Sequence, residues 1–238
     1  MVALFPKNRI THLHEPSTLM LVWTKPGLKR YVVGKVQKTS SGVELSYYPH
    51  SNDYQEAGAH GFAPLPAFRK PDQVYYDGVM GYFMSRVTRR DRPDFDLYVQ
   101  TLGLNPDSVK KLSDFALLGY AEGALPSDGY RVINDYSGMN PPLEFVTEVA
   151  GLQYGECNSD DLISHVGSSV NFVREPDNEH DNNAVRIEVD QIQLGYINRV
   201  QAPMIVKWLD EGYSLSGVVY RKNGRPSTPR MFVFVVIN

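Results

Sequence analysis

Between Val170 and Ile197 the chain reads VNFVREPDNEHDNNAVRIEVDQIQLGYI, and this stretch constrains the fold more than any other. Val170 and Phe172 alternate with polar residues before a polar corner; Val185, Ile187 and Val189 alternate with Arg186 and Glu188 after it. A period of two marks a strand with one buried face, so the segment is expected to run strand, corner, strand, turn, strand. The corner from Arg174 to Asn183 holds more side-chain donors and acceptors than a reversal of direction requires. It is therefore a candidate binding site.

The rest of the chain divides around it. Thr18–Lys25, Tyr31–Val36 and Val43–Tyr48 read as strands, and Ser51–Pro71, rich in Gly, Pro, Ala and His, reads as a loop. Val79, Tyr82, Phe83, Arg86 and Val87 give the spacing of an amphipathic helix. A second helix starts after Asp91-Arg92-Pro93 and stops at Gly103; a third is capped by Asn105-Pro106 and stops at Gly119. A short strand, Tyr130–Ile133, precedes the polar, proline-containing segment NDYSGMNPP. Beyond it come a strand Phe145–Leu152, the three-strand unit above, a helix from about Ala202 that ends before Gly212, and strands Tyr213–Arg221 and Met231–Ile237. The last, MFVFVVI, is apolar on both faces, as a central strand is. The pattern predicts an α+β chain of two domains: residues 1–135 with a small sheet and about three helices, a linker 136–142, and 143–238 as a small, partly open β-barrel with one helix.

Composition bounds the function. With 238 residues, 42% hydrophobic and 21% charged, the chain has ample material for packed cores. No apolar run approaches the ~18 residues of a membrane span. The N-terminus lacks the basic start and cleavage site of a secretory signal, and one cysteine, Cys157, fits a reducing compartment, so a cytoplasmic protein is expected. Net charge is −3; from Leu143 onward 8 Lys and Arg stand against 13 Asp and Glu, a balance of −5, with +2 for the remainder. Any nucleic acid held there must be held by a few specific contacts, because there is no broad basic face to condense it.

Three other readings of the corner compete. Oxygen-bearing residues Asp177, Glu179, Asp181, Asn183 and Glu188 fall at the spacing of a calcium-binding helix–loop–helix motif. That motif needs a glycine where Asn182 stands, helices where strands flank, and a Glu188 that alternation instead sends to solvent. His180 beside Asp181 suggests an acid–base pair, but neighbours on an extended segment point to opposite faces. No nucleophile elbow, CxxC, HExxH or phosphate-cradling glycine motif is present, so neither an enzyme nor a bound cofactor is expected. The third reading is structural: Asp and Asn build turns by bonding their own backbone, which suits Asn182 and Asn183.

The pattern Val173-Arg174-Glu175-Pro176-x-Asn178-x-x-Asp181-x-Asn183-Ala184-Val185, followed by Leu194-Gly195-Tyr196-Ile197, resembles the HIRAN domain over about 142–238. The resemblance implies an oligonucleotide-binding-like barrel that, in fork-remodelling helicase-like proteins, grips the 3′ end of single-stranded DNA. Carried over by motif, Asp181 would accept a hydrogen bond from a terminal 3′-hydroxyl, and Tyr154 would stack on a base. Asn178, Tyr196 and Arg199 would border the end. An arginine in the DNA-binding relatives is Gln153 here, a second aromatic is Gly155, and an aromatic before the key aspartate is His180. Arg174 belongs to the motif, and Arg221 and Lys222, with Arg225 and Arg230, offer phosphate contacts from the last hairpin.

Short motifs in the first half (Leu21-Val22-Trp23, Val33-Gly34-Lys35, Leu45-Ser46-Tyr47, Phe83, and Leu118-Gly119-Tyr120-Ala121-Glu122-Gly123-Ala124) resemble the small N-terminal subdomain of HipA-type toxin kinases. That resemblance implies a protein partner, a HipA-like kinase or a helicase or nuclease. The expectation is a non-enzymatic binder of single-stranded DNA 3′ ends. Its alternative is an interaction or regulatory module of a toxin–antitoxin or defence system with DNA binding weak or lost.

Overall fold

The computed structural model describes residues 9–125, 127–155, 161–225 and 227–238, which gather into two units. One unit comprises His14–Tyr98 and Pro106–Tyr136; the other comprises residues 9–13, Val99–Asn105 and Ser137–Asn238. Among the described residues, no helix is long and apolar enough to cross a membrane.

In the first unit, β1 (Thr18–Trp23), β2 (Tyr31–Thr39), β3 (Gly42–Tyr47) and β4 (Tyr130–Ile133) form an antiparallel sheet in the order β3-β2-β1-β4. Gly34 lets β2 and β3 approach: a Cβ there would lie 2.4 Å from the Ser46 carbonyl. Trp23 and Phe83 are ordinary core, 4% and 1% exposed. The Gly- and Ala-rich stretch expected as a loop contains α1 (Asn52–Ala59), because Ser51 caps it by accepting from Tyr54 N at 3.2 Å. Its stripe is too short to show as periodicity, since only Ala57 is buried. After α2 (Val79–Met84) and α3 (Phe95–Thr101), the single helix expected up to Gly119 is two, α4 (Pro106–Val109) and α5 (Asp114–Ala121). Ser113 restarts the helix by accepting from Ala116 N at 3.1 Å. Gly119 does not stop α5; it lets the helix pack, since a Cβ would meet Leu19 Cδ2 at 3.0 Å. The chain turns at Glu122, in the left-handed region at φ 58°.

In the second unit, β5 (Leu143–Glu148), β6 (Ser169–Glu175), β7 (Ala184–Val189), β8 (Ile192–Tyr196), β9 (Leu215–Arg225) and β10 (Thr228–Ile237) form one sheet in the order β5-β10-β9-β6-β7-β8. It curls until its ends meet: Ala150, just past β5, exchanges both backbone hydrogen bonds with Tyr196 of β8, each 2.8 Å. That closure makes the six strands a small barrel of the oligonucleotide-binding kind. β10 lies between β5 and β9, and Met231, Phe232, Val233, Phe234, Val235 and Ile237 are all buried. One helix, α6 (Ala202–Asp210), buries Ile205, Val206 and Trp208.

The outside of β5, β9 and β10 is strapped by two short pieces of chain from this same unit. Ile10 N donates to Gly103 O at 2.8 Å, and Ile10 and Leu104 are buried. Gly103 has φ 79°, and a Cβ on it would lie 2.7 Å from Val146 Cγ2, so glycine alone serves there. Glu144 fastens the other strap, accepting from Thr11 N, Thr11 Oγ1 and His12 N at 2.5, 2.8 and 3.0 Å. Burial opposes that carboxylate, but the two amides and the hydroxyl hold its pKa below the ordinary value.

Candidate nucleic-acid interface

The corner is built by its own side chains. Pro176 confines Glu175 to extended backbone and ends β6. Glu175 O then accepts from Asn178 N at 3.2 Å. Asn178 Oδ1 accepts from two amides, His180 N at 3.0 Å and Asp181 N at 3.2 Å, while its Nδ2 donates to Glu175 Oε2 at 2.9 Å. Asp181 Oδ1 accepts from Asn183 N at 2.9 Å, and its carbonyl accepts from Ala184 N at 2.9 Å to open β7. These are the local side-chain-to-backbone bonds by which Asn and Asp shape turns. One acceptor is left over: Asp181 Oδ2 takes no hydrogen bond among the described residues.

The corner continues into the adjoining sheet face. On β7, Arg186 forms ion pairs from Nη1 to Glu175 Oε1 at 2.7 Å and from Nη2 to Glu188 Oε1 at 2.8 Å. The three side chains are 30%, 21% and 16% exposed, so Glu188 does not stand in solvent as alternation alone suggests. It is drawn down by the guanidinium between the carboxylates. Tyr196 lies opposite Arg186 in the β7–β8 register, and the Glu175 charge acts on its phenol. Burial, then the Glu175 charge, raise the Tyr196 pKa, which keeps it a neutral donor. Gly151 sits between two rings: a Cβ there would be 3.6 Å from both Tyr154 and Tyr196. Tyr154, on the 3-10 turn Leu152–Tyr154, is 71% exposed. The line runs Tyr154, Tyr196, Glu175, Asn178, then His180 and Asp181.

The other residues singled out in the sequence lie apart or are engaged otherwise. Gln153 is exposed beside Tyr154. Gly155 has no room for an aromatic, since a Cβ would lie 2.6 Å from Leu194 O. Arg174 pairs with Val185, on the face of β6 opposite Glu175, and salt-bridges Asp210 of α6. Arg221 donates from Nε to Thr101 O at 3.0 Å and lies 3.4 Å over the Phe232 ring. Arg230 grips Glu148 with two bonds of 2.6 and 2.8 Å, and Lys222 pairs across the hairpin with Met231. Arg199 is half-buried in the turn after β8.

Sequence reasoning missed two groups. Glu175 and Arg186 were visible as alternating charges, but their union needs the β6–β7 register. Thr147, Asn198 and Gln201, 1%, 1% and 3% exposed, form a buried polar trio. Thr147 Oγ1 donates to Gln201 Oε1 at 2.7 Å, and Asn198 Nδ2 donates to both partners. Asn198 Oδ1 also accepts from Val200 N at 3.1 Å, shaping the turn that carries Arg199. The calcium spacing gathers nothing: among the described residues no three metal-ligating side chains converge.

The family model of the HIRAN domain matches residues 143–237. A crystal structure of a protein from Lactobacillus plantarum is 27% identical over 38% of this chain and 91% of that one, with a TM-score of 0.32. The crystal structure of the HIRAN domain of human HLTF is 20% identical over 39% of this chain and 75% of that one, with a TM-score of 0.29. No curated protein matches the chain.

Proposed function

We propose, from a chain whose residues 143–237 match the model of the HIRAN domain, that this barrel binds single-stranded DNA by a free 3′ end and performs no chemistry on it. The observation that carries the reading is the open oxygen of Asp181 at the end of a line that begins with an exposed tyrosine. A carboxylate is acceptor-only at neutral pH, so it favours a terminal hydroxyl and repels a terminal phosphate. Tyr154 supplies a stacking platform that accepts any base, worth roughly 1–3 kcal/mol. Asn178, His180, Tyr196 and Arg199 border the end, and Gln153 flanks the platform. Lys222 meets a phosphate of the strand that runs away from it, whereas Arg221, held by Thr101 O and the Phe232 ring, chiefly supports the hairpin.

Specific contacts then outweigh bulk charge, and two measurements test this. By fluorescence anisotropy, an oligonucleotide ending in a 3′-hydroxyl binds more tightly than its 3′-phosphorylated twin; equal binding ends the end-recognition claim. The slope of log affinity against log salt is shallow, corresponding to about two or three phosphates at roughly −0.7 each for single strands.

A second reading is favoured by the −5 balance and by the carboxylate partners of Arg174, Arg186 and Arg230. On it the barrel is a protein-interaction module, with a HipA-like kinase or a helicase or nuclease as partner through the N-terminal unit. Absence of binding to every oligonucleotide, with stable co-purification of such a partner, selects it.

A further inference from the structure

Glu175 joins the corner to the adjoining sheet face, although it lies outside the set that would meet the DNA. One oxygen accepts from Asn178 Nδ2 at 2.9 Å, the other forms an ion pair with Arg186 Nη1 at 2.7 Å, and the carboxylate charge acts on the Tyr196 phenol. Its own carbonyl accepts from Asn178 N.

The Asn178 contact has the widest reach. An asparagine amide has two ends, and here both are constrained. Oδ1 faces the amides of His180 and Asp181, which only an oxygen satisfies; Nδ2 faces a carboxylate, which only a donor satisfies. Reversing the amide would set NH2 against two N–H groups and oxygen against a carboxylate. The Glu175 charge therefore fixes the Asn178 rotamer, which fixes the backbone at His180 and Asp181. That backbone holds Asp181 Oδ1 on Asn183 N and leaves Oδ2 open. Arg186, anchored on its far side by Glu188 at 2.8 Å, stops Glu175 from swinging out to water.

We infer that Glu175 is a positioning residue: through Asn178 it presets the Asp181 carboxylate for a terminal hydroxyl. Its use in recognition rests on the functional reading above, whereas its hold on the corner does not. The site is thus preorganised before any strand arrives, and a bound end need not bear the cost of ordering a ten-residue corner.

The test uses the full chain and two readouts. In nuclear magnetic resonance, hydrogen exchange of the His180 and Asp181 amides reports the corner without any DNA. Glu175→Ala is expected to speed both about tenfold or more, and Glu175→Gln, which retains an oxygen for Asn178, to restore most of the protection. Asn178→Asp keeps the acceptor for the two amides but sets a carboxylate against Glu175. It is expected to reproduce the Glu175→Ala exchange pattern while leaving Glu175 in place, which covers the case in which Glu175→Ala does not fold. Unchanged exchange of both amides in Glu175→Ala, or in Asn178→Asp should Glu175→Ala not fold, overturns the positioning claim.

In anisotropy, Glu175→Ala is expected to weaken the 3′-hydroxyl oligonucleotide about tenfold, as for loss of a charge-assisted hydrogen bond, and the 3′-phosphate oligonucleotide far less. A wild-type protein without end preference would sink the functional reading, yet the exchange result would still decide whether Glu175 sets the corner. A wild-type preference that survives Glu175→Ala intact sinks the recognition role of Glu175 and spares the reading.

Discussion

The polar corner and the basic hairpin belong to the same barrel, and in the sequence both look like binding elements. They use their polar groups in opposite ways. The corner bonds inward, with Glu175, Asn178 and Asp181 satisfying one another and the backbone, and one Asp181 oxygen remains. In the hairpin, the guanidinium of Arg221 goes to Thr101 O and the Phe232 ring, and that of Arg230 to Glu148. A charged side chain is available to a ligand only to the extent that the fold leaves it so. Counting arginines on a strand does not reveal that, whereas a corner with more acceptors than its turn consumes does reveal it.

If the contrast is right, substitutions on the strapped face move stability and those on the open face move binding. The largest effect is expected for Phe232→Ala, which removes a buried ring carrying two guanidinium groups and costs roughly 3 kcal/mol in chemical denaturation. Below its melting point that variant binds oligonucleotide as the wild type does. Next comes Tyr154→Ala, which lowers affinity for hydroxyl- and phosphate-ended strands alike by roughly 2 kcal/mol while its melting temperature stays put. Its ring is too exposed to support the fold. Arg221→Ala is expected to cost about 1 kcal/mol of stability from its hydrogen bond and ring contact, with at most a slight flattening of the salt slope. A large affinity loss without a stability loss would move Arg221 to the binding side of the comparison.

The smallest effect is one of pH. The folded Glu144 carboxyl lies below its ordinary value of 4.5 because Thr11 and His12 donate to it, so the folded state binds that proton less readily than the unfolded state. Its contribution is therefore complete above about pH 4.5 and lost as pH falls through the lowered folded value. Glu144→Gln should flatten the acid limb of the stability profile and leave the neutral plateau lower.

Much of this was legible in the sequence. Period-two alternation found the strands on both sides of the corner, the doubly apolar MFVFVVI marked the central β10, and the corner motif singled out the candidate site. The misreadings share a cause. α1 lacks an apolar stripe, the break between α4 and α5 is set by a serine cap, and Gly119 stands where packing needs no side chain rather than where a helix ends. Glu188 looked solvated because alternation says which face a residue takes but not what waits on that face. The same limit hid Glu175: its two partners are 3 and 11 residues away, and only register unites them. Gly155, a departure from the aromatic pattern in sequence, has a packing reason that appears only once β8 lies against it.

The most direct test pairs wild type with Asp181→Ala and measures affinity for a 3′-hydroxyl and a 3′-phosphate oligonucleotide of one sequence. A clear hydroxyl preference is expected in the wild type, about tenfold or more for a hydrogen bond to a charged group. In Asp181→Ala the preference should vanish, mainly because the hydroxyl-ended strand binds less well. A preference of equal size in both proteins would show that the open oxygen of Asp181 does not read the end, and would contradict the account.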